Sequence, residues 1–411
     1  MSGLKLVKGM QDFVSEDALT FYKIVDDVRN LGLNYCYQDL MLPNLEYTDV
    51  FLRTLGDYSD IVNKEMYTFD DKKSRSLTLR PEFTASVVRS LISSGLVNKL
   101  PQKLFTYGPL FRYENPQKGR YRQFNQVNFE YIGVEQSYAD AEVIELANEV
   151  LKHFNLSDIV LHINSLGDAE SRKKYNQVVH EYFSKYENDL SEDSKNRLKK
   201  NPLRIFDSKD KEDQKIAQDA PVISSSLNQA SKEFFEGLLG QLDALQIKYH
   251  VNEKLVRGLD YYNHTVFEFI TNELGAQGTV LAGGRYDGLI KHMGGPQVPA
   301  VGFGCGVERI MLMLKQKYEY RRRVSIVLLD KSFINHAMVL MSRLRKHSIP
   351  VELEVSNKIQ KAMKKTLENN SRFAIFIGAD EIKAKRFKLK DLDKREEHEL
   401  SEEEIIKKIS L

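Results

Sequence analysis

Residues 110–126 read LFRYENPQKGRYRQFNQ, two strand-like runs joined by a basic loop. Pro116 and Gly119 interrupt the strand pattern, and Lys118, Arg120 and Arg122 put cations on the connecting tip. On the approach, Arg112 and Glu114 stand two residues apart, so an extended chain sends both to one face. On the return, Gln126, Asn128 and Glu130 share one face while Val127, Phe129 and Tyr131 share the other. That is the alternation of a half-buried strand whose polar side lines a cleft. Such a hairpin suits phosphate and a second, large anionic substrate. An ordinary surface hairpin with solvated charges is the alternative, and the segment alone leaves both open.

The 411-residue chain, 42% hydrophobic, is expected to form about two or three domains with ordinary cores. No run approaches the roughly 18 apolar residues of a membrane span, and Met1–Lys5 carries no signal-peptide core, so a cytoplasmic protein is expected. Cys36 and Cys305 lie far apart without metal-ligand spacing. Both are expected to be small buried hydrophobes, with no disulfide framework and no zinc site. The net charge of +2 is uneven: residues 321–411 hold 21 Lys+Arg against 14 Asp+Glu, a surplus of +7. A basic C-terminal part favours an anionic macromolecular partner, unless Lys383, Lys385, Arg386, Lys388 and Lys390 are only a solvated face.

Working outward from the hairpin, residues 16–32 carry an apolar helical stripe that Gly32 is expected to end, followed by a strand over 35–42 that stops at Pro43. Residues 76–82 predict a strand running into a proline turn, with helices over 83–96, 138–154 and 169–186. Between about 187 and 220 the chain is charged and predicted irregular, an inserted subdomain or its loops. Gly302, Gly304 and Gly306 lead into a helix over 307–315, and Arg321-Arg322-Arg323 marks a boundary. Beyond it, strands at 324–329, 351–355 and 373–377 alternate with helices at 333–347 and 358–369, a small α/β domain with a mostly parallel sheet.

Four further segments carry chemistry. Arg80-Pro81-Glu82-Phe83-Thr84 sets a carboxylate and a hydroxyl at a strand-to-helix turn, able to accept an ammonium. Residues 255–263, LVRGLDYYN, put Arg257 beside a glycine and two tyrosines, Tyr261 and Tyr262. Residues 282–287, AGGRYD, are expected to let the backbone approach a ligand closely, since glycine has no side chain there. Residues 302–309, GFGCGVER, end a glycine-rich strand and begin a helix bearing Arg309. Taken singly, Tyr286 could be a core tyrosine and Arg285 a surface ion pair.

Together these segments resemble the class II aminoacyl-tRNA synthetases, and within them the histidyl-tRNA synthetase family. The hairpin looks like motif 2, the glycine-rich strand with Arg309 like motif 3, and the helix with the strand ending at Pro43 like motif 1. Residues 257–263 and 282–287 resemble the two histidine-specific signatures. The likeness covers nearly the whole chain. It implies an α+β catalytic core over 1–323, an antiparallel sheet with helices and a helical insertion at about 170–250, followed by an α/β anticodon-binding domain over 324–411.

The resemblance also implies the activity of a homodimeric histidine–tRNA ligase. Histidine attacks the α-phosphate of ATP to give histidyl-adenylate and pyrophosphate, and the histidyl group then passes to the 3′ end of tRNA(His). Arg112 and Arg257 would be catalytic, Arg112 on the α-phosphate and Arg257 on the charge developing there. Arg112, Glu114, Arg120, Arg309, Gly304 and Gly306 would bind ATP. Glu82, Thr84, Gln126, Glu130, Tyr261, Tyr262 and Tyr286 would bind L-histidine. Mg²⁺ would travel with the phosphates, with no dedicated metal site in the protein. Phe83, Asn115 and Asn125 depart from the family pattern, and the last two lie in the hairpin expected to meet the tRNA acceptor end. Two rivals are a non-catalytic regulatory paralogue that senses histidine and a module that senses uncharged tRNA. Retention of Arg112, Arg257 and Arg309 and of the basic C-terminal part weighs against the first; the lack of an attached kinase weighs against the second.

Overall fold

The computed structural model describes residues 4–55, 61–257, 259–275 and 278–410. Gly258, the glycine beside Arg257, and Met1–Gly3 lie outside them. The chain divides into two compact units, residues 1–318 and 319–411.

In the first unit, α1 (Glu16–Asn34) leads to β1 (Gln38–Asp39) and β2 (Leu45–Tyr47), then α2 (Thr48–Leu55), β3 (Tyr67–Asp70), β4 (Ser76–Leu79) and α3 (Thr84–Ser93). The hairpin is β5 (Gln102–Phe111) and β6 (Gln123–Ile132), followed by α4 (Tyr138–His153) and β7 (Ile159–Ser165). Helices α5 (Ala169–Ser184), α6 (Glu192–Lys200), α7 (Lys211–Gln218) and α8 (Gln229–Ala244) come next. The unit closes with β8 (Tyr249–Val251), β9 (Asn263–Thr271), β10 (Thr279–Arg285), α9 (Leu289–His292), β11 (Ala300–Gly306) and α10 (Val307–Met313).

Eight strands form one sheet in the order β1-β5-β6-β11-β10-β9-β7-β8. Its central pairs are antiparallel and only the edge pairs, β1 with β5 and β7 with β8, are parallel. The alternation in β6 separates its two faces. Val127 and Phe129 are fully buried against Phe303, Phe267 and the helices α1, α4 and α10, while Gln126, Asn128 and Glu130 face the other way. Apolar burial on one side of the sheet therefore leaves the polar side as the floor of a cavity.

Several expectations are corrected here. Gly32 does not end α1; it lies within the helix, where the Phe129 ring packs so close that a Cβ would meet it at 2.5 Å. The predicted strand at 35–42 shrinks to Gln38–Asp39. The segment at 187–220 is not irregular: Ser191 and Asp210 each cap a helix through side-chain acceptance of a backbone N–H. Cys305 is buried but Cys36 is exposed.

The second unit contains β12 (Val324–Leu328), α11 (Ile334–Lys346), β13 (Val351–Val355), α12 (Ile359–Glu368), β14 (Phe373–Ile377), α13 (Ala379–Ala384), β15 (Phe387–Asp391), β16 (Glu396–Leu400) and α14 (Glu402–Ser410). The sheet order is β13-β12-β14-β15-β16. The first three strands are parallel, as their alternation with helices predicts. The expected mostly parallel sheet is corrected by a terminal hairpin, because β14/β15 and β15/β16 are antiparallel. Lys388 and Lys390 belong to that hairpin, Lys390 paired with Glu397.

Candidate active site

A cavity of about 340 Å³ opens on the polar face of the large sheet. Every site residue expected from the sequence lines it: Glu82, Thr84, Arg112, Glu114, Arg120, Gln126, Glu130, Arg257, Tyr261, Tyr262, Tyr286, Gly304, Gly306 and Arg309.

Glu130 lies at the centre of one end, 1% exposed. Its Oε1 accepts from Thr84 Oγ1 at 2.7 Å and Asn128 Nδ2 at 2.8 Å, and its Oε2 from the Tyr286 hydroxyl at 2.6 Å. Burial raises its carboxyl to about 7, and the three donors only partly oppose that. Beside it, Glu82 accepts from the Thr84 and Ala85 backbone N–H groups, both at 2.7 Å, at the start of α3. Burial raises Glu82 as well, against those same donors and the Arg112 charge. The Tyr261 ring meets Tyr286 edge-on with centroids 5.8 Å apart and Tyr262 at 4.7 Å. Two carboxylates with three aromatic hydroxyls can match a small ligand that carries both an ammonium and a ring with a donor and an acceptor.

Strand β11 makes this end possible by what it lacks. A Cβ on Gly302 would fall 1.7 Å from Glu130 Oε2, and one on Gly304 would meet the Gln126 amide at 2.5–2.7 Å. The glycines let the neighbouring β6 side chains lie flat over the sheet. Gly283 and Gly284 do the same within the protein: added Cβ atoms would strike the carbonyl oxygens of Gly302 at 2.2 Å and Thr265 at 2.5 Å. Of residues 282–287, Ala282 and Tyr286 line the cavity, while the close approach at Gly283 and Gly284 is between strands.

The other end is cationic. Arg112 Nε donates to the Pro81 carbonyl at 2.9 Å, and its guanidinium sits 5.4 Å from the Phe124 ring centroid. Arg309 donates to the carbonyls of Gly119 and Thr279. Burial, then the Arg112 and Arg120 charges, hold Arg309 below the ordinary arginine range; burial also lowers Arg112 and Arg120, with Glu65 opposing it in both and the Arg112 charge adding to it at Arg120. Mutually repelling buried guanidinium groups are stabilised by an incoming polyanion. Arg257 is different. Despite the burial that opposes its charge, Glu268, and then Tyr262, keep it above its ordinary range, and it pairs directly with Glu268.

The loop tip also departs from expectation. β5 ends at Phe111, so Arg112 and Glu114 are loop residues and do not share a strand face. Arg120 pairs with Glu114, and Arg122 stacks 3.8 Å from the Tyr113 centroid while donating to the Glu114 carbonyl, so only Lys118 projects as an exposed cation. Asn115 is exposed. Asn125 is not free for a partner, because its backbone N–H and its side-chain amide both donate to Glu308 at 2.8–2.9 Å. Asn128, placed on the cleft face by the alternation of β6 but given no role, lines the cavity; Glu268 and Glu308 were not anticipated, and nothing local marks them.

Arg285 is no surface ion pair. Fully buried, it donates to Asp140 through Nε at 3.0 and 3.1 Å and to Asp287 at 3.1 Å, and Asp287 in turn accepts from Asn263 at 3.0 Å. This network fixes the strand ends that carry Tyr262 and Tyr286.

An antiparallel sheet whose polar face meets arginines from a hairpin loop and from a strand-to-helix junction is the fold and site of a class II aminoacyl-tRNA synthetase. A family model described as histidyl-tRNA synthetase matches residues 9–310, and one described as an anticodon binding domain matches residues 323–410. The chain belongs to the histidyl-tRNA synthetase family. It is 47% identical over 397 residues to a histidine–tRNA ligase of Rickettsia bellii, covering 96% of each chain. It is 48% identical over 392 residues to one from Wolbachia of Brugia malayi, covering 95% of this chain and 94% of the relative. The apo histidyl-tRNA synthetase of S. aureus superposes with a TM-score of 0.84 at 32% identity, covering 100% of both chains.

Proposed function

We propose that this protein is a histidine–tRNA ligase that makes histidyl-adenylate from L-histidine and ATP and passes the histidyl group to the 3′ end of tRNA(His). The observation that carries the reading is the division of one cavity into a carboxylate–tyrosine end and an arginine end. Histidine occupies the first: Glu82 and Thr84 receive the ammonium, Gln126 and Glu130 with Tyr261, Tyr262 and Tyr286 read the imidazole. ATP occupies the second, with Arg112 on the α-phosphate, Glu114 and Arg120 at the nucleotide, Arg309 on the far phosphates, and Gly304 and Gly306 beneath. Arg257 stabilises the charge that develops as the histidine carboxylate attacks phosphorus and pyrophosphate leaves. Fixed donors in a buried site need no reorganisation during the reaction, which is where the rate arises.

Mg²⁺ enters with the nucleotide. Among the described residues no three His, Cys, Asp or Glu side chains gather as a metal site, but Glu114 and Glu308 line the cavity with the arginines. One or two carboxylates plus phosphate oxygens are what Mg²⁺ ordinarily takes. Bound there, it would neutralise pyrophosphate charge.

The first unit is the catalytic core with its insertion at about 170–250, and residues 324–411 are the anticodon-binding domain, whose basic surplus fits RNA. A homodimer fits the exposed apolar side chains of Met41, Tyr47 and Phe69 between α1 and β4. No helix of the described residues is long and apolar enough to cross a membrane; we place the protein in the cytoplasm. A non-catalytic histidine sensor would need neither the phosphate-facing arginines nor an RNA domain. Histidine-dependent exchange of pyrophosphate into ATP tests the reading, and no exchange above that with other amino acids would refute it.

A further inference from the structure

Arg257, Tyr261 and Tyr262 reach the cavity, yet the ties of the loop over residues 259–262 run the opposite way. Arg172, on α5, donates through a single Nη1 to the Asp260 carbonyl at 2.8 Å and the Tyr262 carbonyl at 2.7 Å. The Asp260 carboxylate accepts from Asn201 Nδ2 at 2.9 Å and Arg204 Nη2 at 3.1 Å, just after α6. Three side chains of the insertion thus hold one loop by its back. None of the three lines the active-site cavity. Arg172 instead lines a second, open cleft of about 1040 Å³ between α5, α6 and the loop, and Tyr261 and Tyr262 border both spaces. The wall between cleft and active site is therefore the loop itself.

Nothing in the catalytic scheme needs a cation at Arg172. Burial lowers its pKa and Asp260 only partly restores it, so its charge is kept in place at a cost. What it delivers is geometry: bridging the carbonyls of Asp260 and Tyr262 fixes the backbone on both sides of Tyr261, and hence the directions of both tyrosine rings. We infer that Arg172 is a positioning residue for histidine recognition, holding the Tyr261–Tyr262 loop in its reading conformation from the insertion side with Asn201 and Arg204 as its supports.

The inference rests on the proposed histidine site, so its test has one readout that does not. In the full-length protein, hydrogen exchange of the peptide spanning residues 259–264 is compared between the unsubstituted chain and Arg172→Ala, alongside pyrophosphate exchange kinetics. We expect Arg172→Ala to speed exchange of that peptide by about tenfold or more and to raise KM for histidine by about tenfold, with KM for ATP within about twofold. Arg172→Lys, which keeps a cationic donor but not the planar guanidinium that places Nη1 between the two carbonyls, should restore part of the histidine KM. Unchanged exchange of residues 259–264 would overturn the inference whatever the substrate. So would a lower kcat at unchanged histidine KM, the pattern of a merely destabilised fold. Absence of histidine-dependent exchange in the unsubstituted chain would instead refute the substrate assignment, with the loop exchange still deciding whether Arg172 restrains the loop.

Discussion

Replacing Glu130 by glutamine should stabilise the protein while impairing it, and by an amount the site itself sets. Burial pushes the Glu130 carboxyl up to about 7 from the ordinary glutamate value of 4.5. The folded state therefore holds a proton that the unfolded state has released between those two values. More protons bound in the folded state means that stability falls as pH rises through that window. At about 1.4 kcal/mol per unit, the full penalty above pH 7 is about 3 kcal/mol. Glutamine cannot ionise, and the three partners can still be met: its oxygen accepts from Thr84 and Asn128, and its amide donates to the Tyr286 hydroxyl, which is both donor and acceptor. Urea unfolding of Glu130→Gln and the unsubstituted chain without ligands should agree near pH 4.5. The variant should then gain progressively up to about pH 8, while calorimetry shows weaker histidine binding and unchanged ATP binding. A stability difference that does not change with pH, or that favours glutamate at pH 8, would refute the reasoning.

Arg257→Ala should cut histidine-dependent pyrophosphate exchange by about 10² or more, the usual loss of one transition-state charge contact, and near-normal exchange would exclude that role. Gly302→Ala should displace the Glu130 carboxylate, since the new Cβ would lie 1.7 Å from Oε2; histidine affinity measured by calorimetry should fall at least about tenfold with ATP affinity kept. Asp140→Ala leaves Arg285 buried without its principal partner, so the unfolding free energy should drop by about 3–5 kcal/mol; a drop under about 1 kcal/mol would show that Asp287 suffices.

Where structure followed sequence, the signal was local. The two-residue alternation of β6 separates a buried apolar face from a polar one in any half-covered sheet, and it placed Gln126 and Glu130 correctly. The alternation of strands at 324–328, 351–355 and 373–377 with two helices likewise announced a parallel arrangement. Where it did not follow, the deciding neighbour lay far along the chain. Gly32 reads as a helix terminator until Phe129 is seen to need the space. Asn125 reads as a hairpin residue open to RNA until Glu308, on α10, is found holding it.

By itself the sequence determined the motif-bearing segments and the polar face of β6, because the latter follows from spacing along an extended strand; the phosphate and imidazole roles came with the family resemblance of those segments. Only the tertiary structure decided which charges were spoken for. It paired Arg257 with Glu268, sank Arg285 against Asp140, turned Arg120 and Arg122 of the hairpin tip inward, and brought Arg172 from the insertion to the back of the Tyr261–Tyr262 loop. Hydrogen bonds and ion pairs form between groups adjacent in space, and that adjacency is set by sheet order and burial, which no local spacing encodes.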